Sequence, residues 1–232
     1  IRSYPLTTHW DATLPLEQIN VGGIPAGWVI DPAEVVNYVE NHDNQTFFDI
    51  NAYRLPLATS KQDRARVQML GAALNTFAQG VAYFHAGVDT ERSKSMDRNS
   101  YDAGDWFNKL DWSYTDNNFG VGLPMARDNG NDWALMRPIL TNPLVKPTGT
   151  EIGWTRDVFR DLMKIRQSST LLRLKTADDI KARLKFLNTG SAQEPTVLAA
   201  VLDGAGYPGA NFQKLPYFVN VDKVAHTVVA NA

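Results

Sequence analysis

The chain has 232 residues, 44% hydrophobic residues and no cysteine, so it can form a sizeable core but no disulfides or thiolate metal sites. Its 23 Lys and Arg against 25 Asp and Glu give a formal net charge of −2 without a basic stripe, which argues against nucleic-acid binding. No stretch approaches 18 uncharged apolar residues, so no membrane span is expected; the compartment stays open, with a bacterial extracellular or cell-surface location favoured.

The first half of the chain predicts a parallel strand–helix–strand unit. Residues 1–34 lack a sustained period and are expected to form a long loop before the first strand, the β-branched run 35–39. Apolar residues at helical spacing predict a helix over 61–79. The short apolar run 81–87 follows at once and predicts a second strand. The fold class is therefore α/β.

Residue preferences at helix ends place the predicted helices more closely. Ser60 and Asp63 fit a capping box before the first helix, and Gly80 fits a stop after it. A second amphipathic helix is predicted over 155–167, with Thr155 as its N-cap.

Residues 88–150 lack any period and are dense in Asp, Asn, Gly, Trp and Tyr. A loop of that length is expected to be functional or disordered. Three tryptophans, Trp106, Trp112 and Trp133, argue against disorder. They fit either a small core under the loop or flat surfaces for sugar rings.

From about residue 170 the composition changes to that of an antiparallel β domain. The runs "RLKFLNTG", "TVLAAVLDG" and "KLPYFVNVD" have strand composition and are separated by Gly, Pro and Asn turns. The predicted division is thus an α/β part over 1–169 and an all-β domain over 170–232, which is expected to be partial.

The stretch "VVNYVENHDN", residues 35–44, passes from a buried type of sequence into five polar side chains. Ligands bind at the carboxyl ends of parallel strands, so His42 and Asp43 are candidates for a site. The alternative is that Asp43 and Asn44 form an Asx turn as the strand ends, with His42 satisfied locally.

Other chemistries find little support in the sequence. No HExxH motif is present, and His42, Asp43, His85 and Asp89 have no spacing that specifies a metal. No GxSxG elbow or dinucleotide fingerprint occurs. The remaining candidates are carboxylates, amides, one arginine and aromatic rings, a composition typical of sites for neutral polyhydroxyl ligands such as sugars.

Three segments, "VVNYVENHDNQTFFDI", "VAYFHAG" and "RSKSMDRNSYDAGDWFNKLDW", are specific enough to suggest a family. Together they resemble the pullulanase and limit dextrinase branch of the α-amylase superfamily, whose members hydrolyse α-1,6 branch linkages in starch-like glucans. The "NHD" element alone would indicate only the superfamily. The resemblance runs from about residue 20 to the end.

The resemblance implies a fold. Residues 35–39 and 81–84 would be the seventh and eighth strands of a (β/α)8 TIM barrel, so 1–169 would be the C-terminal part of a catalytic barrel and 170–232 part of an antiparallel β-sandwich. The chain is then expected to be a C-terminal piece, partnered by the N-terminal remainder of the same polypeptide. The nucleophile and the acid/base would lie on earlier strands, and the chain alone would be inactive.

The resemblance also implies an activity, the retaining hydrolysis of α-1,6 linkages in pullulan, starch or limit dextrins. Asp43 would be the catalytic carboxylate that stabilises the transition state, and His42 would hydrogen-bond the same sugar. No cofactor is required, although structural calcium in the full-length protein stays open. The alternative function is a non-catalytic, amylase-like carbohydrate-binding or assembly protein.

Further substrate contacts follow from the same resemblance. Arg98 and Asn99 would contact the neighbouring glucose, and Asp128 would pair with Arg98. The alternative for Arg98 is a structural ion pair with Asp97 or Asp102. Four nearby residues would shape the loop: Tyr101, Asp105, Trp106 and Asn108.

Overall fold

The computed structural model describes residues 1–228. Its α-helices are α1 (Phe47–Arg54), α2 (Lys61–Phe77), α3 (Gly104–Asn108), α4 (Ala126–Asn129), α5 (Trp133–Leu140), α6 (Gly149–Ser168) and α7 (Ala177–Arg183). Its strands are β1 (Pro5–Thr7), β2 (Thr13–Pro15), β3 (Asn20–Val21), β4 (Ile24–Pro25), β5 (Val36–Asn37), β6 (Val81–Ala82), β7 (Leu184–Phe186), β8 (Val197–Asp203) and β9 (Lys214–Asn220). None of the helices described is long and apolar enough to cross a membrane.

The contacts divide the chain into two compact units. The first unit contains residues 1–37, 76–82 and the chain from 164 onward, and the second contains 38–75 and 83–163. This division differs from the predicted barrel and β-domain boundary at residue 169, which stays a prediction.

The first unit contains a parallel strand pair and a three-stranded antiparallel sheet. β5 pairs with β6 in parallel, Val36 opposite Val81. In the sheet, β8 lies between β7 and β9 and is antiparallel to both, so the three runs of strand composition after residue 170 do form strands. All sheets among the described residues have two or three strands.

The core of the first unit lies on one face of this sheet. Leu202 and Ala200 of β8 are fully buried against Leu171 and Leu172 of the 3₁₀ turn that follows α6. Alternation along β9 buries Tyr217 and Val219 while their neighbours stay exposed, as expected for a half-buried strand.

The second unit has a separate core. Phe48 of α1 meets the ring of Phe119 edge to face with 5.5 Å between centroids. Met136 and Ile139 of α5 and the buried Met96 complete this cluster, and the half-buried Trp133 packs against it. Trp133 therefore belongs to the small loop core that was one of the two interpretations of the aromatic residues.

The prediction of one long loop over residues 1–34 is wrong. β1 and β2 form one short hairpin, with Leu6 opposite Leu14, and β3 and β4 form another through Gly22 and Gly23. Both glycines have positive φ, which suits a tight hairpin turn. Strands of two or three residues are too short to produce a readable period.

Both predicted helices form, but their ends differ from those predicted. Ser60 Oγ accepts a hydrogen bond from Asp63 N at 3.1 Å, so the predicted cap of α2 is confirmed. Thr155 as the N-cap of α6 is wrong, because α6 begins at Gly149 and Thr155 lies buried inside it. The cap is Thr148, whose N and Oγ1 donate to Glu151 Oε2 at 2.8 and 2.6 Å.

Residues 88–150 are more regular than predicted. They contain α3, α4 and α5, of which α5 is an amphipathic helix of eight residues. Pro138 lies inside α5 and interrupts the sequence pattern that would otherwise have indicated a helix.

A buried carboxylate connects α1 to the loop that follows β6. Asp49, in the first turn of α1, accepts hydrogen bonds from Ser93 Oγ at 2.5 Å and Lys94 N at 2.7 Å. Asp49 is fully buried, and burial raises its pKa to about 6. The two donors would lose their partner if this carboxylate were removed.

We expect Asp49→Ala to lower the free energy of unfolding by about 3 kcal/mol, because two buried donors would be left unsatisfied. The matched control is Asp63→Ala in the first turn of α2, where the half-exposed carboxylate accepts a hydrogen bond from the cap Ser60; it should cost at most about 1 kcal/mol. Urea denaturation measures both. Equal effects of the two substitutions would contradict the role given to Asp49.

Candidate active site

Residues 41–45, which follow β5 and lead to α1, form a turn that is fixed at both ends. The buried Glu40 carboxylate accepts a hydrogen bond from Phe47 N at the start of α1. Thr46 caps α1, since its Oγ1 accepts from Asp49 N at 3.1 Å. Residues 41–45 are therefore held at both ends.

A buried lysine supports this turn. Lys94 is 1% exposed, and its Nζ donates to the carbonyl oxygen of His42 at 3.1 Å. Burial lowers the pKa of Lys94, while the negative charges of Asp49 and, less strongly, of Asp97 and Asp43 act in the opposite direction.

Asp43 itself points to solvent. Its side chain is 70% exposed, and its Oδ1 lies 3.7 Å from Nδ1 of His42. The turn is made by a different residue, because Asn41 Oδ1 accepts from Asp43 N at 2.8 Å. An Asx turn does form here, but Asn41 makes it rather than Asp43 or Asn44. The Asp43 carboxylate is not used to build the turn.

The segment that carries Arg98 and Asn99 is anchored by a buried amide and a buried acid. Asp97 Oδ1 accepts from Asn99 N at 2.9 Å and from Asn129 Nδ2 at 3.1 Å. Asn129 Oδ1 accepts from Arg98 N at 3.2 Å. The backbone at 98–99 is thus fixed, while the Arg98 side chain remains exposed.

The alternative interpretation of Arg98, an ion pair with Asp97 or Asp102, is wrong. Asp97 is bonded to Asn99 and Asn129, and Asp102 is bonded by Arg127. Within residues 1–228 the Arg98 guanidinium has neither an ion pair nor a hydrogen bond.

The expected pairing of Asp128 with Arg98 is also wrong. Arg127 donates its Nε to Asp128 at 2.9 Å and its two Nη atoms to Asp102 at 2.6 and 2.9 Å. The Arg127 guanidinium lowers the pKa of both carboxyls, and a hydrogen bond with the Asn99 side chain adds to the effect on Asp128.

These side chains meet in one open cleft of about 500 Å³ in the second unit. Its lining consists of Asp43, Asn44, Arg98, Asn99, Arg127 and Asp128. Four of the five predicted site residues line it, and the fifth, His42, is next to Asp43. A cleft rich in donors and acceptors suits a hydroxylated ligand.

Asn44 and Arg127 were missed by the sequence reasoning. Asn44 has φ +57°, in the left-handed region that asparagine tolerates, which brings its side chain to the cleft beside Asp43. Arg127 directly precedes Asp128 in "MARDNG", but its bond to Asp102 spans 25 residues and leaves no local pattern. Within residues 1–228 there is no group of three His, Cys, Asp or Glu side chains that could hold a metal ion.

Comparison with known proteins identifies the family. The family described as "Alpha-1,6-glucosidases, pullulanase-type, C-terminal" matches residues 114–232. The chain belongs to the pullulanase-type α-1,6-glucosidases. This family is the branch that the three quoted segments suggested.

Curated pullulanases match most of the chain. Pullulanase 1, chloroplastic, of Arabidopsis thaliana is 40% identical over 88% of this chain and 21% of its own length. The pullulanase of Klebsiella aerogenes is 36% identical over 80% of this chain and 17% of its own length. The chain thus spans about a fifth of the length of these curated relatives.

Solved pullulanase structures agree with the fold. Apo pullulanase from Klebsiella pneumoniae superposes with a TM-score of 0.85 at 34% identity, over 91% of this chain and 23% of that one. The Klebsiella pneumoniae pullulanase complexed with maltotriose gives a TM-score of 0.89 at 32% identity, over 95% and 21% of the two chains. The structural neighbours of this pullulanase-type chain are therefore themselves pullulanases.

A buried glutamate makes the stability of the site's scaffold depend on pH. Glu91 is fully buried with φ +55°, and neither of its carboxylate oxygens has a hydrogen-bond partner among the described residues. Burial, reinforced by the charge of Glu151, raises its pKa to about 8. The folded protein therefore retains a proton that the unfolded chain loses near pH ~4.3.

We expect the stability contributed by neutral Glu91 to be complete below pH ~4.3 and to be lost as the pH rises towards about 8, because the unfolded state binds fewer protons. Glu91→Gln should flatten this decline and exceed the parent in stability above pH 8. The exposed Glu17→Gln is the control. Unfolding free energies from pH 5 to 9 test this, and parallel curves for Glu91→Gln and parent would contradict it.

Proposed function

We propose that this chain supplies one side of the active site of a retaining glycoside hydrolase that cleaves α-1,6-glucosidic branch linkages in pullulan, starch or limit dextrins. The membership in the pullulanase-type family supports the reaction class. The maltotriose bound by the Klebsiella pneumoniae relative supports an α-glucan as the ligand.

We infer that β5 and β6 are the seventh and eighth strands of a (β/α)8 barrel, and that β7–β9 belong to a β-sandwich. The parallel register of β5 with β6, and the two helices that lie between them in the chain, are what such a barrel requires. The candidate cleft then lies in the loops after the strands, where barrel enzymes carry their active sites.

The nucleophile and the acid/base of a retaining glycosidase are carboxyl groups about 5–5.5 Å apart. We infer that both come from earlier strands of the same polypeptide, so that residues 1–232 alone hydrolyse no substrate. What this chain contributes is a third carboxylate and contacts to the sugars.

The observation that carries this proposal is the freedom of the Asp43 carboxylate on a rigid backbone. The turn that carries Asp43 is fixed by Asn41 and Lys94, and none of these bonds uses the carboxylate itself. A preorganised carboxylate of this kind stabilises the positive charge that develops on the sugar ring, and its bonds to hydroxyls strengthen in the transition state. His42 lies beside it and bonds the same sugar.

We infer that Arg98 and Asn99 bind the neighbouring glucose. The unpaired guanidinium has five donors for sugar oxygens. Asp128, held by Arg127, accepts from a hydroxyl of the same ligand.

Asp43→Asn in the whole enzyme should preserve the shape of the cleft and remove its charge. We expect kcat on pullulan to fall by roughly 10²–10³, with a smaller change in KM. The control is Asp178→Asn, a solvent-exposed carboxylate of α7 outside the cleft. A near-parental kcat for Asp43→Asn would rule out the catalytic role.

Arg98→Ala should raise KM and lower kcat/KM on pullulan about tenfold without changing the melting temperature, because binding energy at the neighbouring sugar positions the reacting one. The control Arg66→Ala removes an exposed arginine that pairs with Asp63 outside the cleft. A lowered melting temperature with unchanged kinetics would remove Arg98 from the site.

A further inference from the structure

A second cleft, of about 650 Å³, lies in the second unit and shares no lining residue with the Asp43 cleft. Most of its lining comes from α3 and from the loop that precedes Gly120. Its polar and aromatic lining residues are Asp105, Trp106, Asn108, Lys109, Asp116 and Asn118.

Trp106 presents a large ring to this cleft. Trp106 is 65% exposed, yet hydrogen bonds fix its position. Trp106 Nε1 donates to Val121 O at 3.1 Å, and Asn118 Nδ2 donates to Trp106 O at 3.0 Å. The buried Arg92 donates to Asn108 O at 3.0 Å and so holds the end of α3. The exposed ring of Trp106 is therefore held in a fixed position.

Two of the three charged residues that line this cleft are paired. Lys109 pairs with Asp111 at 3.1 Å, and Asp116 pairs with Lys146 at 2.7 Å. Compensated charges do not favour an ionic ligand over a neutral one.

Free polar groups remain next to the ring. Asn108 uses its amide nitrogen for Ser100 O and Gly104 O, at 2.7 and 3.0 Å, which leaves its side-chain oxygen as an acceptor. The exposed Asp105 carboxylate has no hydrogen bond or ion pair within the described chain. A flat ring flanked by free acceptors matches a sugar, which offers an apolar face and hydroxyl donors.

We propose that this cleft is a second saccharide subsite, in which a glucose ring of an α-1,4-linked chain stacks on Trp106 and donates hydroxyls to Asp105 and Asn108. The assignment of an α-glucan rests on the proposed function. Arg98 and Asn99 of the first cleft shortly precede α3 in the chain. A fixed ring binds with little loss of conformational entropy.

The test uses the whole enzyme and maltohexaose, a linear α-1,4 chain without the branch linkage. We expect Trp106→Ala to weaken maltohexaose binding roughly tenfold in calorimetry, the size of a lost aromatic contact. Trp106→Phe, which keeps a smaller ring, should weaken it less. Both variants should lose the change in tryptophan fluorescence that maltohexaose causes. The control is Trp112→Ala, a tryptophan 54% exposed in the same part of the chain but outside the cleft.

Unchanged binding and fluorescence in the Trp106 variants would overturn the subsite, whatever Asp43→Asn does to kcat. Weak binding by Trp106→Ala together with a full fluorescence change in Trp106→Phe would mean damage to the loop and would also overturn it. If the Trp106 variants lose binding while Asp43→Asn keeps its kcat, the saccharide subsite stands and the proposed catalytic function fails.

Discussion

The buried carboxylate of Asp49 is the interaction on which the candidate site depends. It lies in the first turn of α1, whose cap closes the turn that presents Asp43, and it accepts bonds from Ser93 and Lys94. Lys94 in turn supports the backbone at His42. One anion therefore connects the loop after β5 to the loop after β6. A buried charge is tolerated only when it is hydrogen-bonded in this way.

In the candidate site, one set of residues holds the backbone in place, and another set keeps its side chains out of that framework. Asp97 and Lys94 are buried, and their polar atoms bond mainly to backbone groups of the segments they support. Asp43 and Arg98 are exposed and take no part in that framework. The framework fixes the backbone that carries Asp43 and Arg98 and leaves their charged groups out of its hydrogen bonds, which is what the proposed sugar contacts need.

Much of this arrangement could be predicted from the sequence, for identifiable reasons. The helix α2 and the strand β8 could be predicted because they are long periodic or strongly apolar segments. The capping of α2 by Ser60 could also be predicted. The short hairpins of residues 1–34 carry too few residues for a period. Pairings such as Arg127 with Asp102 depend on the fold and have no local signal.

The segment 91–97 shows the limit of such reasoning most clearly. Its composition is polar, which is typical of a solvated loop, yet every residue in it is buried. Several of these residues are buried with hydrogen bonds from distant residues such as Asp49 and Asn117, while the Glu91 carboxyl is buried without one. A sequence pattern shows that a residue is polar, but not whether the fold will supply hydrogen-bond partners for it.

The most direct test is a crystal structure of the whole enzyme with a branched malto-oligosaccharide bound. We expect a glucose hydroxyl within hydrogen-bond distance of the Asp43 carboxylate, an adjacent glucose on the Arg98 guanidinium, and a turn at 41–45 still held by Lys94. An oligosaccharide bound elsewhere, with Asp43 and Arg98 contacting only solvent, would contradict this expectation.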